Sequence, residues 1–230
     1  MEAVVAFFHQ TLAVPAKRDA AAYKIRYSTL FWLFMVGSVV GFVLEGLWCV
    51  LWQGHWENHS ATVWGPFCII YGIGAVAVYL LSMILSDKNL ILQFAAFTIS
   101  GAAVEYFGSL FQQLCLGSVS WDYSDHILNL GGRVSLQMAL IWGVLGMAFM
   151  RAAFPLINRL FQKMQGKGWR GACIGMTIFM AANLLVTAAA VTRWRTRAAD
   201  EESANPVVQW LDSTYSDQTM EKLFPNMQFT

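Results

Sequence analysis

Charged side chains are scarce in this sequence. Asp, Glu, Lys and Arg make up 13% of its 230 residues, about half the share found in soluble domains. The formal net charge is only +1, so the chain lacks the strongly basic surface that is typical of nucleic-acid-binding proteins. Hydrophobic residues make up 57% and come in runs of about twenty, the length that crosses a bilayer as a helix. The composition excludes an ordinary soluble domain and predicts a helical membrane protein.

Two local signals are also missing. None of the four cysteines forms a CxxC pair, which argues against a zinc-ribbon or thioredoxin-like motif. The N-terminal stretch 1–28 places Glu2 before its short apolar run and its Lys and Arg residues after it. A signal peptide has the opposite order. We interpret 1–28 as a cytoplasmic lead-in that lies at the membrane interface.

The apolar runs predict an all-α polytopic membrane protein with about five transmembrane helices. The predicted helices cover 29–52, 66–85, Leu90–Leu116, 135–157 and 171–192. Pro66 suits the first turn of the second helix, and Pro155 is expected to stop the fourth. The membrane domain is thus 29–192, and 193–230 form a polar C-terminal tail that we expect in solvent or at the interface.

Lys and Arg residues concentrate on one side of these helices. Four lie in 1–28 and four in 158–170, whereas on the other side 54–65 has none and 117–134 has only Arg133. By the positive-inside rule, the N-terminus is inside. Five helices would then leave the tail outside, although it begins with Arg193, Arg195 and Arg197. Either the tail is outside against the rule, or the fifth predicted helix is wrong.

A short motif occurs twice. The first helix contains GFVLEGLW from Gly41 and the third contains GAAVEYFG from Gly101, both of the form GxxxE with aromatic residues just after. This repetition suggests a duplicated helix pair plus one further helix. The alternative is a chance match in apolar sequence.

The two glutamates of this motif are the most informative polar residues. A carboxylate within a membrane helix is costly unless it is protonated, paired or hydrated. Glu45 and Glu105 fall at similar depth, in the outer part of their helices, and we expect them to share one cavity. Such a pair would bind a proton or a cation. The alternative is that each Glu bonds a neighbouring helix and serves only packing.

The predicted outer loop after the third helix is rich in polar and aromatic residues. Trp121, Asp122 and Tyr123 lie there, and Arg133 enters the fourth helix from the same side. A guanidinium can pair a carboxylate in bidentate fashion, so Arg133 is the predicted partner of one Glu or of Asp122. The alternative is a structural cap whose aromatic rings lie in the interfacial belt. The segment that contains Gly65 and Pro66 lies on the same side and would form the wall of the site opposite this loop.

Histidine and cysteine residues gather on the same side. His55, His59 and His126 suggest a metal site only weakly, because the region around His55 is not predicted to be helical. Two of Cys49, Cys68 and Cys115 could form a disulfide, but we favour the hypothesis that they are buried free thiols. We therefore predict neither a metal nor another cofactor.

The chain resembles a family of bacterial membrane proteins, the CmpB-like ABC-transporter permeases of type IV. The resemblance rests on Gly41 with Glu45, Gly65-Pro66-Phe67-Cys68 with Tyr71-Gly72, Glu105-Tyr106, Trp121 to Ser124, and Gly132-Arg133. It implies a transport protein of the bacterial cytoplasmic membrane, with Gly65, Pro66, Tyr71 and Gly132 in structural positions. No Walker motif occurs in the chain, so an ATPase would be a separate subunit.

The leading hypothesis is an outward-facing polar pocket for transport or binding of a small solute or ion, built from Glu45, Glu105, Arg133 and the segment from Trp121. An enzyme is the less favoured alternative. It would act on a lipid-linked or extracytoplasmic substrate, with Glu105 or Asp122 as general base and Arg133 holding an anion. A third alternative is a non-catalytic partner or sensor subunit. The predicted partners are the lipid bilayer, a separate subunit and a second copy of the chain.

Overall fold

A computed structural model describes residues 25–85, 87–164, 166–197 and 205–230. The described chain forms helices α1 (Tyr27–Gln53), α2 (Ile69–Leu85), α3 (Leu90–Leu116), α4 (Leu136–Ala148), α5 (Phe154–Lys163), α6 (Lys167–Thr196), α7 (Pro206–Thr214) and α8 (Asp217–Leu223), with a π-helical turn at Phe149–Ala153 and two short strands, β1 (Ser118–Val119) and β2 (Gln228–Phe229). The predicted all-α fold is confirmed. Most of the lead-in predicted for 1–28 lies outside the described residues.

Four of the five predicted spans coincide with candidate membrane helices, and the fifth, 66–85, coincides with a shorter apolar helix. Four described helices are long and apolar enough to cross a membrane: α1, α3, the continuous helix Leu136–Phe161, and α6. The apolar helix α2 has only 17 residues. Each of the five predicted segments therefore coincides with a helix.

Pro66 does not lie in the first turn of α2, as predicted. The helix begins three residues later, at Ile69. The backbone N–H of Cys68 donates to the Ser38 carbonyl at 3.0 Å, and that of Ala61 donates to the Phe67 carbonyl at 2.8 Å. The bond from Cys68 holds the segment against α1. The bond from Ala61 takes up the Phe67 carbonyl, which a helix that began at Pro66 would use for the N–H four residues later.

Pro155 does not stop the fourth helix either. The chain continues as α5 to Lys163. Directly before the proline, the Phe154 N–H donates to the carbonyl of Phe149, five residues earlier. This wider turn accommodates a residue that lacks an N–H and whose ring would crowd the preceding turn.

The helices pack as two adjacent pairs, α1 with α2 and α3 with α4, which meet where α2 touches α3. One buried cluster links α1, α2 and α3 with the π-helical turn and α5, through Leu33, Val78, Tyr79, Phe97, Met150 and Phe154. Helix α6 packs beside α1, through a second cluster that includes Met35, Cys173 and Met180. The pairs thus form the central body, and α6 lies at its flank.

The C-terminal tail folds back onto one end of the bundle. Its residues Leu211, Met220 and Phe224 are buried against Val63 and Val191. Strand β2 pairs antiparallel with β1, directly after α3. The connection after α1, the end of α3 and the end of α6 therefore meet at one end, which we call the tail end. This arrangement agrees with helices that alternate in direction.

The tail also explains two of the three arginines that conflicted with the charge rule, Arg193 and Arg197. Arg193 donates to both carboxylate oxygens of Asp212, each at 2.9 Å. Arg197 contacts Asp212 at 3.1 Å and Asp217 at 2.5 Å. The hydrogen bonds from Arg193, with the charges of both arginines, lower the pKa of Asp212. These positive charges are compensated locally, so they do not argue against α6 as a membrane helix.

Candidate carboxylate site between the helix pairs

Glu45 lies on α1 and is half-buried. Its Oε1 accepts a hydrogen bond of 2.5 Å from the hydroxyl of Tyr71 on α2. Gly41, one helical turn before Glu45, makes this contact possible. A Cβ at Gly41 would overlap the Tyr71 ring, so only glycine lets the ring lie flat against α1 at this level.

Glu105 lies on α3 and is only 5% exposed. Its Oε1 accepts a long hydrogen bond, 3.4 Å, from the hydroxyl of Tyr123. Its Oε2 is buried and has no hydrogen-bond partner among the described residues. The indole of Trp142 on α4 lies beside the same carboxylate. One turn before Glu105, a Cβ at Gly101 would overlap Trp142.

The repeated GxxxE motif therefore has the same local role in both helix pairs. In each, the glycine makes room for an aromatic ring from the next helix, and that ring lies beside the glutamate one turn later. The two rings, Tyr71 and Trp142, touch each other with centroids 5.0 Å apart. Glu45 and Glu105 lie within electrostatic range of each other. The two motifs thus meet where the Tyr71 and Trp142 rings touch.

The loop between α3 and α4 holds Tyr123 over this site. The Tyr123 N–H donates to the Gly132 carbonyl at 2.7 Å, and Gly132 has a positive φ of 69°. Trp121 Nε1 donates to the Arg133 carbonyl at 2.9 Å. Burial, followed by the charge of Glu105, raises the pKa of Tyr123, so its hydroxyl stays protonated and can donate.

Asp122 turns away from the carboxylate pair. Its Oδ1 accepts from the N–H and the hydroxyl of Ser124, at 2.9 and 2.6 Å. These bonds lower the pKa of Asp122. A Cβ at Gly132 would overlap the same oxygen. Asp122 therefore shapes the turn.

The predicted ion pair of Arg133 is wrong. Among the described residues, Arg133 pairs with no carboxylate. Its guanidinium donates to the Ser109 hydroxyl at 3.1 Å and to the amide oxygen of Gln113, and it lies over the Tyr106 ring at 6.0 Å. Ser109 and Gln113 follow Glu105 by one and two turns on α3. Arg133 thus reaches the same helix face as Glu105 but binds neutral groups nearer the tail end.

A family model described as "Putative ABC-transporter type IV" matches residues 32–188. The chain belongs to this family. No curated protein and no solved structure matches it. The matched region contains both glutamates, both aromatic rings and the α3–α4 loop, and it ends within α6. The tail, with α7 and α8, lies outside the part that defines the family.

The segment opposite the loop is fixed by α6. Asn183, completely buried, accepts from the Trp64 N–H at 3.1 Å and donates to the Trp64 carbonyl at 2.7 Å. Gly65 has a positive φ of 80°, and its carbonyl accepts from Ser60 Oγ at 2.8 Å. Gly65 and Pro66 thus lie in a turn that polar contacts hold in place. Among the described residues, no hydrogen bond joins this turn to Glu45 or Glu105.

Sequence reasoning missed Trp142 and Asn183. Trp142 lies in an apolar helix without a polar neighbour in sequence, so its position beside Glu105 follows only from helix packing. Asn183 could have been noticed, because an amide in the middle of an apolar helix needs a partner.

Proposed function

We propose that this protein is a membrane transport protein whose Glu45–Glu105 site binds a proton or a small cation. The observation that carries the proposal is the environment of Glu105. Its side chain is 5% exposed, and its Oε2 lacks a hydrogen-bond partner among the described residues. A second carboxylate acts on it from the neighbouring pair.

Charge balance gives the physical reason. Two nearby carboxylates in a poorly hydrated site are not both ionised unless a cation compensates them. Among the described residues, no Lys, Arg or His forms an ion pair with either glutamate. A bound proton or a small cation would supply the missing positive charge. The hydroxyls of Tyr71 and Tyr123 would then donate to the remaining carboxylate oxygens.

Membership in an ABC-transporter family supports a role in membrane transport, but it does not indicate what is transported. Because the sequence has no Walker motif, a nucleotide-binding partner would be a separate subunit. We propose that the protein lies in the bacterial cytoplasmic membrane with its N-terminus inside, since Lys and Arg concentrate at the end opposite the tail end.

The enzyme alternative has less support. Asp122 Oδ1 accepts both hydrogen bonds from Ser124, and the lowered pKa of Asp122 makes this carboxylate a weak base. Arg133 is already engaged by Ser109 and Gln113, so it is not free to hold an anion.

The test uses purified protein in proteoliposomes that enclose a pH-sensitive dye. A potassium gradient with valinomycin imposes a membrane potential, and proton flux is recorded with and without Na⁺. In parallel, thermal unfolding in detergent is recorded with added Li⁺, Na⁺ or K⁺. We expect a proton flux or a cation-dependent stabilisation in the wild type.

Glu105→Gln keeps the shape and most of the hydrogen-bonding capacity but cannot bind a proton or attract a cation in the same way. We expect it to fold and to lose the flux or the cation effect. Glu221→Gln is the matched control, because Glu221 is exposed on α8. The proposal is wrong if wild type and Glu105→Gln show the same proton flux and the same effect of cations on thermal unfolding.

A further inference from the structure

Three metal-ligating side chains meet at the tail end of α1. Cys49 Sγ lies 3.1 Å from His59 Nε2 and 3.7 Å from Glu57 Oε2. His59 Nε2 lies 3.4 Å from the same Glu57 oxygen. Among the described residues this is the one group of three such side chains whose ligand atoms all lie within 4.8 Å of one another.

The edges of this triangle fit a tetrahedral metal ion. Tetrahedral coordination has metal–sulfur bonds of about 2.3 Å and metal–nitrogen or metal–oxygen bonds of about 2.1 Å. It therefore places Sγ about 3.6 Å from Nε2 and from Oε2, and Nε2 about 3.4 Å from Oε2. The two edges to the Glu57 oxygen already match these lengths. The Sγ–Nε2 edge would open by about 0.5 Å, which a side-chain rotation supplies.

The triangle does not fit a nucleophile with its base. In a Cys-His-acid triad, the acid holds one ring nitrogen of the histidine while the other nitrogen faces the thiol. Here the thiol and the carboxylate both face Nε2 of His59. All three groups converge on one point, which is the geometry of ligands around an ion.

The local fold holds the ligands in place. Cys49 lies on the last turns of α1 and is 3% exposed. Gly54 ends the helix with a positive φ of 79°, which turns the chain back along α1. Between the other two ligands, Asn58 Oδ1 accepts from the Ser60 N–H at 3.0 Å. Glu57 and His59 stay about one-fifth exposed, so an ion could enter from the aqueous side.

We propose that Cys49, Glu57 and His59 form a binding site for a divalent transition-metal ion of the Zn²⁺ type. Thiolate, imidazole and carboxylate together suit Zn²⁺ better than the hard ions Mg²⁺ and Ca²⁺. Three protein ligands leave a fourth position open, as in exchangeable sites. The site adjoins the carboxylate pair, because Glu45 lies one turn before Cys49 on α1. It is independent of the proposed proton or cation binding at Glu105.

This set differs from the three histidines considered in the sequence. His55 contacts the Gln53 carbonyl and His126 lies near Ser135, so neither joins His59. Glu57 and Cys49 could not be grouped with it, because their proximity depends on the chain reversal at Gly54.

The test is cobalt binding to the full-length protein in detergent, after removal of metals with a chelator. Co²⁺ reports thiolate ligation by a charge-transfer band and tetrahedral geometry by intense visible bands. We expect one Co²⁺ per chain, displaced by Zn²⁺, and a Zn²⁺-dependent rise in unfolding temperature. Mg²⁺ should neither displace Co²⁺ nor stabilise the protein.

Variants separate this site from other thiols and histidines. Cys49→Ser should abolish the charge-transfer band, and His59→Gln should weaken Zn²⁺ binding at least tenfold. Cys115→Ser and His55→Gln change exposed residues of the same types and should bind as the wild type does. If Cys49→Ser fails to fold, the proposal is judged from the charge-transfer band of the wild type and from the Zn²⁺ affinity of His59→Gln. A folded wild type without the band, or a band that persists in Cys49→Ser, overturns the proposal.

Discussion

Replacement of Gly41 by alanine tests how the carboxylate site is built. The added methyl group would lie about 1 Å closer to the Tyr71 ring than ordinary van der Waals contact allows. The atoms that it meets are Cβ and the inner ring atoms of Tyr71, which cannot move without the backbone of α2 or the whole ring. The ring must therefore withdraw, and its hydroxyl would leave the 2.5 Å bond to Glu45.

Two costs follow from this displacement. Overpacking in a close-packed interior costs about 1–3 kcal/mol, and a lost hydrogen bond to a charged group costs about 1.5–3 kcal/mol. We expect Gly41→Ala to reduce the free energy of unfolding by roughly 2.5–6 kcal/mol. For a chain of this size, each kcal/mol corresponds to about 2–4 °C in the midpoint of thermal unfolding.

The assay is thermal unfolding in detergent, followed by tryptophan fluorescence. Gly175→Ala is the matched control, because Gly175 also lies in a long helix and its Cβ would meet nothing within 4 Å. Helix propensity alone makes that control neutral or slightly stabilising, by up to about 1 kcal/mol. Tyr71→Phe keeps the ring and removes only the hydroxyl, so it isolates the hydrogen bond. If Gly41→Ala is as stable as Gly175→Ala, the close contact that we describe does not exist.

Two further predictions concern the tail and the orientation of the chain. Because Arg193 lowers the pKa of Asp212 in the folded state, the stability from this contact is present above the unfolded pKa of about 4 and is lost as pH falls through the lower folded pKa. Acidification should therefore release α7 and α8 to added protease, and Asp212→Asn should release them already at neutral pH; an equally protected tail in Asp212→Asn would contradict this. Single cysteines placed in a Cys-free background should be labelled from outside at 121–132 and from inside at 158–170, as the positive-inside rule requires, and labelling of both from one side would disprove the orientation.

The helices were predictable because lipid imposes a simple length rule. A segment that must satisfy its backbone within the bilayer becomes a helix of about twenty apolar residues, and Leu90–Leu116 coincides with α3 to the residue. The errors lie at the two prolines. Local propensity placed Pro66 inside a helix and a stop at Pro155. A tertiary hydrogen bond from the Cys68 N–H to the Ser38 carbonyl overrode the first, and a π-helical turn overrode the second.

The candidate site was predictable only in part. Glu45 and Glu105 stood out because a carboxylate in an apolar run needs a partner. The partner itself could not be read from the sequence. Arg133 carries the right charge, but its direction depends on how the α3–α4 loop meets α3, and there Ser109 and Gln113 lie closer. The function of the two glutamates stays a prediction.

The contact between Tyr71 and Trp142 has a mechanical consequence. These rings fill the seam between the two helix pairs, and each also touches the backbone opposite it through a glycine. The Gly41–Tyr71 and Gly101–Trp142 contacts each lie within one pair, whereas the ring contact and the close approach of Gly74 on α2 to Trp142 join the two pairs. A rearrangement that parted the two pairs at the level of the glutamates would therefore have to break the contact between Tyr71 and Trp142.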